Sequence, residues 1–334
     1  PEREQVKAQL DEMLSETVDM PMVIGGEEVR TGNVQKSICP HDHQHVLGEY
    51  HVASENEVQQ AIDAAREAQV DWAARPWYDR AAVFLKAADL LATKYRPILN
   101  AAAMLAQGKN IFQAEIDAAC ELIDFFRFNA YFASQIYSDQ PNSVPGEWNR
   151  MDYRPLEGFV FAVTPFNFAS IAGNLPSAPA LMGNTVLWKP ASSAVYTAHF
   201  LMKLFREAGL PDGVINLVLG SGSMMGKLIL PNRHLAGIHF TGSTSVFQTM
   251  WRTVGDNIEN YRAYPRLVGE TGGKDFIVVH PSAQVDTTAT ALTRGAFEYQ
   301  GQKCSAASRA YIPKSLWADI MSKVGVGLFW CHIL

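Results

Sequence analysis

Cysteine is scarce in this 334-residue chain, and what there is does not cluster. Cys39, Cys120, Cys304 and Cys331 are widely spaced, with no CxxC pair and no Cys/His group at metal-ligand spacing. This excludes a disulfide scaffold and a zinc ribbon, predicts no metal site, and makes a reducing compartment the simpler reading. Long apolar runs are also missing: no stretch of about 18 uncharged apolar residues occurs, so no membrane span is expected. The apolar tail 324–330 is too short to span. The formal charge is −6 and the basic residues are scattered, which gives no footprint for a nucleic-acid partner. Internal repeats and low-complexity tracts are absent. No Arg- and Ser-rich targeting peptide can be read, and the chain opens at Pro1 rather than Met, as a processed or trimmed chain would.

What is present reads as an ordinary globular composition long enough for two domains. The first 50 residues predict short strands and loops around Gly25-Gly26. Ser54-Glu55-Asn56-Glu57 is a capping box, with Val58, Ile62 and Ala65 following at helical spacing. Further helices are expected over 79–105 and 111–137, making an Ala-rich helical layer. The pattern stops at 138–154, where Pro141, Pro145 and Gly146 intervene and 148–153 predicts an extended arm. The rhythm then changes to strand and helix in alternation. Strands are expected at 158–164, 184–188, 214–219 and 235–240, and helices at 194–208, 225–230 and 244–254. That order predicts a parallel α/β sheet. After Glu270 a second α/β unit begins, with strands at 276–279 and 309–312 around a helix within 283–299. It is small for covering its own sheet.

Several residues could carry chemistry. Cys304, in Gly301-Gln302-Lys303-Cys304, sits between a predicted helix and a strand; a thiolate there is a strong nucleophile, although most lone cysteines are inert and buried. Glu270 closes a strand before Gly272-Gly273 and could activate water; a solvated strand-end acid is the plainer reading. Asn167 follows a strand and could donate to a developing oxyanion, though turn geometry alone also suits an Asn. Two loops carry glycine after strands. One is Gly220-x-Gly222-x-x-x-Gly226, a weak signal by itself; the other, Phe240 to Ser245, opens a helix whose N–H groups could hold a pyrophosphate. Lys189, at a strand end, could bond ribose hydroxyls or be a surface lysine.

These pieces, in this order, resemble the aldehyde dehydrogenase superfamily. The resemblance rests on TPFNF at 164–168, WKPAS at 188–192, the 220–226 glycines, FTGSTS at 240–245, ETGGK at 270–274 and GQKCSAASR at 301–309. It runs from about residue 20 to about Trp317. ETGGK and SAASR look most like the branch that oxidises L-glutamate γ-semialdehyde to glutamate in proline breakdown.

The resemblance implies an α/β fold with a Rossmann-type parallel sheet. Residues 1–269 would form a helical layer and NAD-binding domain, with an oligomerisation arm inserted at 138–157. The incomplete α/β catalytic domain would start at 270–317, followed by a divergent tail at 318–334. It implies Cys304 as nucleophile, Asn167 with the Cys304 N–H as oxyanion donors, and Glu270 as the base. NAD contacts are implied for Thr164, Lys189, Ser192, Gly222, Gly226, Gly242, Ser243, Thr244, Ser245 and Val246. Substrate contacts are implied for Glu121, Phe168 and Ser305. It further implies a small aldehyde substrate, a homodimer and a mitochondrial matrix location.

Two departures matter. Ser192 stands where many NAD-preferring members carry Glu, which removes repulsion against a 2′-phosphate and leaves NADP use open. Beyond Trp317 the family continues with a Glu-x-Phe-Gly-Pro segment, the loop anchoring the substrate carboxylate and a last oligomerisation strand. The expectation is therefore a truncated or alternatively spliced chain with little or no turnover and exposed apolar surface. The alternatives are a non-catalytic fragment, binding NAD or poisoning full-length subunits, and a dehydrogenase for another semialdehyde.

Overall fold

A computed structural model describes residues 2–331. The chain divides into two compact units between Glu270 and Thr271.

The first unit opens with helix α1 (Glu2–Ser15), then the short strands β1 (Val18–Met20), β2 (Met22–Ile24), β3 (Glu27–Val29), β4 (Val34–Cys39) and β5 (Asp42–His51). The opening helix is not expected from sequence; it buries only Met13, so its apolar pattern is faint. Helix α2 (Glu55–Ala74) starts as its capping box predicts. Ser54 Oγ accepts the Asn56 N–H at 3.2 Å, and the Ser54 N–H donates to Glu57 at 2.7 Å.

The expected helix over 79–105 is two, α3 (Trp77–Ala92) and α4 (Arg96–Gln107). The chain breaks at Thr93 (φ −120°, ψ −92°), and Pro97 restarts it in the first turn, where its missing N–H costs nothing. The helix expected over 111–137 is α5 (Ile111–Ala114), a π-turn (Glu115–Cys120) and α6 (Glu121–Ser138). The expected arm at 148–153 forms no strand, and Trp148 there is 78% exposed.

The alternating region follows: β6 (Phe159–Thr164), α7 (Ala169–Leu181), β7 (Thr185–Pro190), α8 (Val195–Ala208), β8 (Ile215–Leu217), α9 (Gly222–Ile229), β9 (Leu235–Gly242), α10 (Thr244–Asp256) and β10 (Arg266–Thr271). One sheet runs in the order β10-β9-β6-β7-β8-β2-β3. Its centre, β9-β6-β7-β8, is parallel, and β2 joins β8 antiparallel. The central strands are buried on both faces, as helix-covered parallel strands must be, which explains their unbroken apolar runs. Trp188 of β7 continues into an aromatic cluster with Phe205, Phe126 and Phe84, whose touching rings have centroids 6.0–6.4 Å apart.

The second unit holds β11 (Asp275–Val278), α11 (Val285–Phe297), a 3-10 turn (Glu298–Gly301), β12 (Ala307–Tyr311) and α12 (Lys314–Cys331). The two strands are parallel neighbours. A small core of Val279, Ala289, Leu292, Ile320 and Val324 joins them to the helices. Phe276, Val278 and Tyr311 are at least half exposed.

Candidate active site

Strands β6 and β7 pair in parallel with Val163 opposite Lys189 and Thr164 opposite Pro190. The loop carrying Asn167 and the Lys189 ammonium therefore leave the same carboxyl edge, where ligands bind in open α/β sheets. Trp188 Nε1 donates to Thr164 Oγ1 at 3.0 Å, and the Ala191 N–H donates to the Thr164 carbonyl at 3.1 Å, which locks the two strand ends.

Burial holds the Lys189 pKa below its ordinary value. Among the described residues its ammonium has no hydrogen bond or ion pair. A Cβ on Gly222 would lie only 3.6 Å from Lys189 Nζ, so the ammonium stands beside the first residue of α9. A desolvated cation next to helix-terminal N–H groups suits a ligand with hydroxyls and phosphates. Along the same helix Gly226 is half-buried. Ser243 caps α10, its Oγ accepting the Val246 N–H at 3.4 Å, and Thr244, Ser245 and Val246 are exposed on the first turn. Gly242 lies against Phe240, whose ring would be 2.7 Å from any Cβ there. Ser192 is exposed in the 3-10 turn Ser192–Ala194. These donors fit a dinucleotide: N–H groups for a pyrophosphate, and an ammonium for ribose hydroxyls.

Asn167 is half-buried, and Phe168 is buried at the N-cap position of α7. Glu121 begins α6, accepts a hydrogen bond from the buried Ser170 hydroxyl, and lines a cleft of about 500 Å³ with Cys120, Asp124, Phe125, Phe128 and Phe132. Glu270 is exposed in β10.

The second unit builds the turn around Cys304. Tyr299 (φ 51°, ψ 42°) and Gln300 (φ 51°, ψ 30°) are left-handed, a conformation that costs a non-glycine residue energy and that clusters at functional sites. Gly301 (φ 70°) completes the reversal. Cys304 follows as a half-buried thiol in a turn closed by the Ala306 N–H on the Lys303 carbonyl at 3.1 Å. Ser305 beside it is exposed. β11 and β12 run parallel from Asp275 opposite Ala307, so Gly272-Gly273 and Cys304 enter the same end of this sheet. A Cβ on Gly273 would lie 2.7 Å from the Cys304 carbonyl oxygen. The first unit thus brings together Thr164, Asn167, Lys189 and Gly222, and the second gathers Gly273, Cys304 and Ser305.

Sequence reasoning missed the residues behind the Asn167 loop. Lys109 is buried and paired with Asp117 at 2.9 Å, and Gln107 reaches the Phe166 carbonyl. Among the described residues no group of three or more His, Cys, Asp or Glu is arranged to hold a metal, and no helix is long and apolar enough to cross a membrane.

A cysteine-bearing turn, an Asn-bearing loop and a phosphate-friendly sheet edge on one α/β chain are parts of the kind an aldehyde dehydrogenase combines. The chain belongs to the aldehyde dehydrogenase family, whose model matches residues 28–326. Among its relatives, the delta-1-pyrroline-5-carboxylate dehydrogenase of Agaricus bisporus is 51% identical over 321 residues, covering 96% of this chain and 59% of its own length. The mitochondrial enzyme of that name from Mus musculus is 48% identical over 324 residues, covering 97% and 58%. In structure, the delta-pyrroline-5-carboxylate dehydrogenase of Mycobacterium tuberculosis bound with NAD superposes with a TM-score of 0.95 at 55% identity, over 97% of this chain and 61% of that one. The chain spans about 60% of the length of these relatives.

Proposed function

We propose that this chain carries the cofactor edge and nucleophile for NAD-dependent oxidation of L-glutamate γ-semialdehyde, the open form of 1-pyrroline-5-carboxylate, to L-glutamate. The observation that carries this reading is the pairing of β6 with β7, which sets the Asn167 loop and the uncompensated Lys189 ammonium at one sheet edge. The relatives' names supply the substrate.

In this reading Thr164, Lys189 and residues 242–246 bind the dinucleotide, with Gly222 and Gly226 leaving room along α9. The bound nicotinamide supplies a hydride acceptor. Cys304 Sγ, as thiolate, forms a bond to the aldehyde carbon. The Asn167 side-chain amide and the Cys304 backbone N–H donate to the oxygen as it gains charge. Hydride loss from that carbon leaves a thioester on Cys304. Glu270 takes a proton from water, the resulting hydroxide attacks the thioester carbonyl, and the C–S bond breaks to release glutamate and the thiolate. Glu121, Phe168 and Ser305 shape the substrate side. Ser192 places no carboxylate against a 2′-phosphate, which leaves NADP use open. Homodimer assembly through the exposed 138–157 segment and a location in the mitochondrial matrix complete the reading; the latter follows relatives from mouse and Dictyostelium named as mitochondrial.

The test mixes the purified chain with NAD and the semialdehyde and follows NADH absorbance. Robust formation that disappears in Cys304→Ala supports the reading and overturns the expectation of little or no turnover. An equal rate in Cys304→Ala refutes the nucleophile, and a faster rate with succinate semialdehyde refutes the substrate.

A further inference from the structure

Behind the Asn167 loop lies a set of buried polar groups. α4 ends at Gln107, and Gly108 (φ 67°) turns the chain with a left-handed residue that suits glycine. Asn110 then caps the next helix, its Oδ1 accepting the Gln113 N–H at 2.9 Å while the Asn110 N–H donates to Gln113 at 3.2 Å. Two residues are thereby pinned between fixed helix ends, and Lys109 is one of them. Its side chain is wholly buried.

A buried ammonium needs a counter-charge and acceptors. Asp117, itself buried, supplies the charge at 2.9 Å. It lies within the π-turn Glu115–Cys120, where the Glu121 N–H bonds to Ile116 five residues back. Such turns insert one residue into a helix and often mark functional positions. Arg96 and Asn100 hold the start of that turn through Glu115.

The second acceptor of Lys109 is the backbone carbonyl of Asn167, at 2.6 Å. Its ammonium also stands 4.6 Å from the centre of the Phe168 ring. One residue earlier, Gln107 Nε2 donates to the Phe166 carbonyl at 2.8 Å. Two buried donors from one helix connector thus grip two consecutive carbonyls of the loop that presents the Asn167 amide.

We propose that Gln107 and Lys109, the latter held by Asp117, are positioning residues that fix the Asn167 loop so that its side-chain amide meets the developing oxyanion. This rests on the proposed role of Asn167. Neither side chain touches the reacting atoms; each acts through the loop backbone. Displacing a catalytic donor by about 1 Å can cost roughly 100-fold in rate, so a backbone clamp has a kinetic consequence out of scale with its size.

Two measurements on the full chain test this. Hydrogen exchange, read by mass spectrometry, compares wild type with Gln107→Leu and with the paired Lys109→Met/Asp117→Leu, which avoids leaving one buried charge alone. The peptide covering 164–168 should exchange roughly 10-fold faster in the variants, with peptides from β9 and α8 unchanged. Exchange of 164–168 at the wild-type rate overturns the proposal. Single-turnover hydride transfer is then measured in Lys109→Met/Asp117→Leu, Asn167→Ala and the combined triple variant at saturating NAD. If Lys109 acts through Asn167, the paired variant falls roughly 100-fold with unchanged NAD affinity, and the triple variant is no slower than Asn167→Ala. Additive losses, or a parallel loss of NAD affinity, mean a general structural role and also overturn it. Absence of hydride transfer in wild type counts against the functional reading instead, and the exchange comparison still decides the clamp.

Discussion

The backbone of Cys304 and the glycine at position 273 lie so close that a Cβ on Gly273 would sit 2.7 Å from the Cys304 carbonyl oxygen. The second glycine of ETGGK is thus a packing requirement of the cysteine turn, since backbone cannot retreat as a side chain can. Gly273→Ala should displace the turn. Overpacking of this kind costs about 1–3 kcal/mol. Iodoacetamide labelling of Cys304, followed by peptide mass, should slow or lose its NAD dependence; a wild-type labelling profile would speak against the contact.

Lys189 carries a second expectation. Its ammonium is partly desolvated with no partner among the described residues, so a ribose hydroxyl pair would satisfy it on binding. Hydrogen bonds to a charged group contribute about 1.5–3 kcal/mol, so Lys189→Met should weaken dinucleotide binding by roughly 10- to 100-fold. Calorimetric titration with NAD measures it. Because burial lowers the lysine's pKa, affinity should fall as pH rises through that lowered value, where the ammonium is lost.

His199, on α8, gives a pH dependence of stability. Burial brings its pKa from 6.5 down to about 4, and its Nε2 has no hydrogen-bond partner among the described residues. Asp19 and Glu28 oppose that shift, and Lys203 adds to it. With the folded value depressed, the unfolded chain binds more protons between the two values. Stability is then complete above about pH 6.5 and lost as pH falls towards 4, by roughly 3 kcal/mol. Urea unfolding at several pH values, for wild type and His199→Leu, should show a gap that varies over this window. A gap constant with pH would contradict it.

The capping box of α2 offers a local check. Ser54→Ala removes both the acceptor for the Asn56 N–H and one of the three donors to Glu57, while the Ser54 backbone N–H and the Asn56 side-chain amide still reach the carboxylate. A loss of about 1 kcal/mol is expected in thermal unfolding.

What could be read from sequence was what local chemistry dictates. The capping box at Ser54, the fully apolar strands β6 and β7 and the helix opening at Thr244 are each specified by neighbours within a few residues. Lys109 was illegible because its burial depends on Asp117 and on a carbonyl 58 positions away. Helix α7 was hidden by Pro176 and Pro179, which normally stop a helix but lie inside this one. The reversal before Cys304 gave no glycine signal at Tyr299 and Gln300, because the fold forces left-handed backbone on residues that do not favour it.

The account turns on one covalent bond. Glu270→Gln, incubated with NAD and L-glutamate γ-semialdehyde, should release hydride but be slow to hydrolyse the product. Peptide mass spectrometry should then find an acyl adduct on Cys304, matched by one NADH per modified chain and absent without NAD. An adduct on Cys39 or Cys120, or acylation of Cys304 that is independent of the dinucleotide, would contradict it.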